Sequence, residues 1–157
     1  MKKLIVLVLL IAALAVAPVL AADNGAGRTK AGTILGRGFF ATAGFPMGKT
    51  TELNVYAGTG WNFNEVTLGA NYLFRLVDID IEGETFPLSL GPQADISFGY
   101  YNGVVLGVFA DLRWEYTFDF PLNLFIEIGP GIDIAMYNGG TTMGFGWRGG
   151  LGARYVF

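Results

Sequence analysis

From residue 31 onward, apolar and polar positions alternate with a period of two over long stretches. Across 88–101, Leu88, Leu90, Pro92, Ala94, Ile96, Phe98 and Tyr100 share one parity. Ser89, Gly91, Gln93, Asp95, Ser97, Gly99 and Tyr101 share the other. The same alternation runs through 104–118, where Leu106, Val108, Leu112 and Trp114 interleave with Gly107, Phe109, Asp111, Arg113 and Glu115. It returns in 122–137, with Leu124, Ile126, Ile128 and Ile132 against Phe125, Glu127, Gly129 and Asp133. It closes the chain in 145–157, with Phe145, Trp147, Leu151, Tyr155 and Phe157 against Gly146, Arg148, Gly152 and Arg154. Successive side chains of a strand point to opposite faces, so each stretch is a two-faced strand. Weaker strands fall at 52–57, with Glu52 on the polar side, and at 65–75, with Glu65 and Arg75 there. A further strand covers 33–43, with Arg37 on its polar parity.

Asn102-Gly103 and Asn138-Gly139-Gly140 are hairpin signals, and Phe45-Pro46-Met47-Gly48 and Asp119-Phe120-Pro121 are breakers. No helical period follows residue 22. The pattern predicts an all-β, antiparallel up-and-down barrel. Seven strands are legible and eight are expected, because closed single-chain barrels favour even numbers. The eighth comes either from 23–45, which would then hold two strands, or from 77–86.

Periodicity alone leaves the direction of the apolar face open. Three features place it outward. The apolar parity carries more bulk than a narrow eight-stranded interior accepts, while the polar parity is rich in glycine. Arg37, Glu52, Glu65, Arg75, Asp95, Asp111, Arg113, Glu115, Glu127, Asp133, Arg148 and Arg154 all lie on the polar parity, where acids and arginines can pair in a lumenal network. An Arg or Lys facing mid-bilayer lipid costs roughly 2–4 kcal/mol. Aromatics also gather at both ends, Trp61, Phe63, Tyr100, Tyr101 and Tyr137 at one and Phe45, Phe86, Phe118, Phe120, Tyr155 and Phe157 at the other, as in two interfacial girdles. Strands of about 13–16 residues exceed the ~9–11 needed to cross a bilayer.

Composition narrows the picture. Residues 1–22 read as a secretory signal: Lys2 and Lys3, an apolar run, Pro18, then cleavage after Ala21 or Ala22. Residues 23–157 are then a single outer-membrane barrel domain. Removing those two lysines from the 10 basic residues leaves the mature chain acidic against 13 acids, which argues against nucleic acid. The absence of cysteine excludes disulfides and thiolate chemistry, and the absence of histidine removes the usual base near neutral pH.

The ending Gly152-Ala153-Arg154-Tyr155-Val156-Phe157 resembles the terminal strand of bacterial outer-membrane β-barrel proteins. By size the chain is similar to the small eight-stranded barrels related to the outer-membrane protein A transmembrane domain. The resemblance implies a cell outer-membrane location and assembly through the barrel-assembly machinery, with Tyr155 and Phe157 as its signal. It also implies a periplasmic C-terminus, with the Asn-Gly turns facing outward. Enzymes of that class rely on histidine, which this chain lacks, and its only serines are Ser89 and Ser97. No catalytic residue, cofactor or metal is expected.

Asp78, Asp80, Glu82 and Glu84 form the one acid run. It echoes a calcium loop faintly, but Glu82 and Ser89 occupy positions that such a loop gives to other residues. It reads as a solvated connection, and the strand must leave the bilayer or bulge before Asp78. The expected function is a structural or interaction role in the cell envelope. One alternative is a narrow, porin-like channel for water or small ions. Another is a soluble, lipocalin-like periplasmic barrel binding an apolar ligand.

Overall fold

In the computed structural model, which describes residues 27–99 and 103–157, eight antiparallel strands close into one ring in chain order. They are β1 (Lys30–Gly36), β2 (Gly38–Pro46), β3 (Thr51–Gly60), β4 (Val66–Ile81), β5 (Glu84–Phe98), β6 (Val104–Thr117), β7 (Leu122–Tyr137) and β8 (Gly140–Val156). The expected up-and-down barrel with eight strands is therefore the observed fold. The secretory segment, Tyr100, Tyr101 and Asn102 lie outside the described residues.

The eighth strand comes from the first of the two sources. The single strand expected over 33–43 is two strands, and Arg37 is the bend between them. Leu35 pairs with Phe39 across Gly36-Arg37-Gly38. A loop of three residues joins positions of equal parity, so the alternation runs through the turn undisturbed. Residues 77–86 instead lengthen β4 and β5 into a hairpin. The first three strands are shorter than expected, at 7, 9 and 10 residues.

The register fixes the shape. A ladder starting at Ile34 runs through Phe40, Gly58, Thr67, Ser97, Val105 and Ala135 and reaches β8 at Thr142. Ile34 itself pairs with Gly152, ten residues further along β8. Such a stagger tilts every strand against the barrel axis, in the usual range of about 35–45°.

Both ends of the ladder leave a projection. Strand β4 pairs with β3 only to Phe74, and β5 pairs with β6 only to Leu88, so the β4–β5 hairpin stands beyond the rim that carries Lys30 and Val156, here called the near rim. On the far rim, β1 stops at Gly36 opposite Gly150. Among the described residues, positions 140–149 of β8 therefore pair with β7 alone. The wall is low above β1 and β2 and high along β7 and β8.

The burial pattern is the inverse of a water-soluble domain. Arg113 and Arg154 are 1% exposed and Asn54 and Asn123 are 0%, whereas Phe145 is 80% exposed and Met143 72%. Soluble folds bury their large apolar side chains and almost never bury unpaired charge.

Candidate functional site: the charged lumen

Inward positions of six strands meet around the barrel axis in two ion-pair clusters. Toward the near rim, Arg154 of β8 donates to Asn123 at 2.9 Å, to Asn54 at 2.7 Å, and to Glu52 and Glu115 at 2.8 Å each. Lys30 bridges Glu52 and Glu115 at 2.9 Å to each. Arg113 holds Glu127 at 2.6 Å and approaches Glu52 at 3.5 Å. Toward the far rim, Arg148 spans Asp95 at 2.6 Å and Asp133 at 2.7 Å. Between the clusters, Asn71 joins Asn54 to Asp111, and Gln93 donates to the Tyr56 hydroxyl at 2.6 Å. A buried charge is tolerable when it is paired and hydrogen-bonded, and each of these arginines meets that condition.

Aromatic rings fill the space that charge leaves. The Arg113 and Arg154 guanidinium groups lie 4.4 and 4.6 Å from the Phe125 ring centre, and Arg148 lies 4.2 Å from that of Phe109. Each lumenal ring lies opposite a glycine on the next strand: Phe40 on Gly58, Tyr56 on Gly69, Phe109 on Gly131, Phe125 on Gly152. A Cβ on any of these glycines would run into the facing ring. The glycine-rich parity is thus the complement of four large inward rings. The cavity between the clusters, bordered by Ile34, Phe40, Tyr56, Gln93 and Arg148, measures about 20 Å³, room for about one water molecule.

The sequence-predicted charges divide by position. Glu52, Asp95, Asp111, Arg113, Glu115, Glu127, Asp133, Arg148 and Arg154 all sit on inward strand positions. Arg37, expected within a strand, reaches in from the β1–β2 bend, donating to Thr67 at 3.0 Å and Ser97 at 3.1 Å. Glu65 precedes β4 and packs beside Gly60, outside the two clusters. Arg75 is exposed at the near rim and pairs with Asp78. Lys30, the first residue of β1, joins them from the end of the polar stretch 23–30. Its signal was the continuing alternation into Ala31 and Gly32. The uncharged bonders Asn54, Asn71 and Asn123 share the charged parity and were equally legible.

The acid run lies beyond a register shift between Arg75 and Val77, which is the expected bulge. One inserted residue flips the face, so Val77, Ile79 and Ile81 stay on the outward side and Asp78 and Asp80 turn inward. Tyr116 donates to Glu84 at 2.7 Å, and Thr85 donates to Asp80 at 2.9 Å. Rings form a continuous collar here, Phe86 to Tyr116, Tyr116 to Phe118 and Phe118 to Phe120, at centre separations of 4.9, 4.6 and 5.0 Å. Tyr155 and Phe157 meet edge to face at 5.0 Å on the same rim. Among the described residues no group of three or more carboxylates is arranged to hold a metal ion. No family model, curated protein or solved structure matches the chain.

Proposed function

We propose that this chain is an integral outer-membrane β-barrel with a packed, charge-paired lumen, serving a structural or interaction role in the cell envelope. The observation that carries the reading is the inversion of polarity across the wall. The largest fully buried side chains are Arg113, Arg154, Asn54, Asn71 and Asn123, and the exposed belt carries Leu112, Trp114, Ile126, Ile128 and Leu151. A closed ring satisfies its backbone internally, as hydrocarbon demands. The near rim, with Tyr155 and Phe157, faces the periplasm and meets the barrel-assembly machinery. The Asn138-Gly139 turn faces outward.

The test is gel mobility of the membrane fraction with and without boiling. A closed lipid-bound barrel migrates as a compact species until heated. Equal mobility in both samples, or recovery of the mature protein in detergent-free buffer, contradicts the reading and favours a soluble ligand-binding barrel. The filled lumen supports a non-conducting barrel over a channel. Planar-bilayer recordings are expected to show no unitary steps, and regular steps would favour the channel.

A further inference from the structure

The charges packed in the lumen do not balance. Arg148 takes Asp95 and Asp133, with Arg37 at 3.8 Å from Asp95. Lys30 and Arg154 share Glu52 and Glu115, and Arg113 takes Glu127. Those five cations match those five carboxylates. The sixth inward carboxylate, Asp111, is 1% exposed and makes no ion pair among the described residues. It accepts from the neutral Asn71 amide at 2.6 Å on Oδ2, and Oδ1 has no partner in the protein.

The surroundings of Asp111 add nothing to neutralise it. The charged groups that act on it are Glu127 of β7 and Arg113 of its own strand. Arg113 is committed to Glu127 at 2.6 Å and turns Nη1 toward Glu52 at 3.5 Å. Strand β4 offers the Asn71 amide. On β5 the polar neighbour is Gln93, opposite Asn71, whose Oε1 is a second unpartnered buried acceptor. Asp95 of β5 is held by Arg148, and Tyr56 of β3 accepts from Gln93. Arg154 of β8 is spent on Glu52 and Glu115.

A buried carboxylate without a counter-charge is so costly that such a group neutralises instead. A metal ion would need room and several oxygen ligands. Asp111 lines neither the lumenal cavity of about 20 Å³ nor the near-rim one of about 180 Å³. A proton needs no room. It also turns one of two neighbouring unpartnered acceptors into a donor.

We propose that Asp111 is held as an un-ionised carboxylic acid, so that the packed lumen is a proton-dependent plug. The barrel takes up one proton as it closes and gives it up as it opens. At high pH the proton leaves, and two carboxylates, Asp111 and Glu127, then face the single Arg113. Stability is therefore present at low pH and lost as pH rises. The inference concerns the lumen alone and does not depend on what covers the outer wall.

The experiment follows urea unfolding of the folded protein in ester-free detergent micelles. The chain has no histidine, so ordinary side chains do not titrate between about pH 5 and 7. One proton held only by the folded state raises the unfolding equilibrium constant about tenfold per pH unit across that window. Asp111→Asn, which keeps the shape of the neutral acid, should abolish the dependence. A flat wild-type profile, or a dependence that survives in Asp111→Asn, overturns the proposal. A second measurement needs no variant. Infrared spectra of the wild-type protein at pH 7 should show the carbonyl stretch of an un-ionised carboxyl, shifted by carbon-13 aspartate and not by carbon-13 glutamate. Absence of that band, or its shift with glutamate instead, also overturns it. A protein that stays folded and dissolved without detergent counts against the membrane reading instead, and both measurements then run unchanged in buffer.

Discussion

Arg113 and Glu127 are both buried and meet at 2.6 Å, so removing one strands the other in a low-dielectric interior. Such a deletion costs about 3–5 kcal/mol, more than the pair itself contributes. Arg113→Met is expected to lower unfolding stability by that amount in a urea titration. Arg113→Met with Glu127→Gln should recover part of the loss, and equal losses in both variants would remove the pair from the account. A second residue-scale test concerns the ring and glycine pairs. Gly152→Val places methyl groups where the Phe125 ring lies. Overpacking of this kind costs roughly 1–3 kcal/mol. Adding Phe125→Leu should return part of that stability, because the clash rather than the strand is at fault.

At the scale of elements, the β4–β5 hairpin turns through Glu82 and Gly83, at φ of 53° and 88°. Two positive φ values in a two-residue turn define the type I′ geometry, which asparagine-glycine suits best. A non-glycine, non-asparagine residue there is strained by about 1 kcal/mol or more. Glu82→Asn is therefore expected to raise urea stability by up to about 1 kcal/mol, and a loss of stability would contradict the turn assignment. Strands β5 to β8 were legible in the sequence because one bulky and one small or charged face repeat over many residues. The β1–β2 turn was not, since Leu35 and Phe39 keep one parity through Gly36-Arg37-Gly38. The β4–β5 hairpin was half legible. Asp78 announced a bulge, but Glu82-Gly83 lacks the asparagine of Asn102-Gly103 and Asn138-Gly139. Deleting Leu76, the extra residue at the register shift, should leave Val77 outward and Asp78 inward and preserve the heat-dependent gel shift, and loss of that shift would contradict the bulge assignment.

For the whole molecule, the lumen was legible as a parity but not as an arrangement. Sequence spacing put arginines and acids on one face; only the ten-residue stagger decides that Arg154 meets Glu52 and Glu115, while Arg148 meets Asp95. The same stagger leaves the low lip at Arg37, which no local pattern records. The central claim is that the apolar parity faces hydrocarbon. The most direct measurement is tryptophan emission in vesicles of phosphatidylcholine brominated along its chains, with flotation to separate bound protein. Trp114 and Trp147 lie on the outward face, so most of their emission should be lost and the protein should float. Bright, unquenched emission from protein left in the aqueous fraction would contradict it.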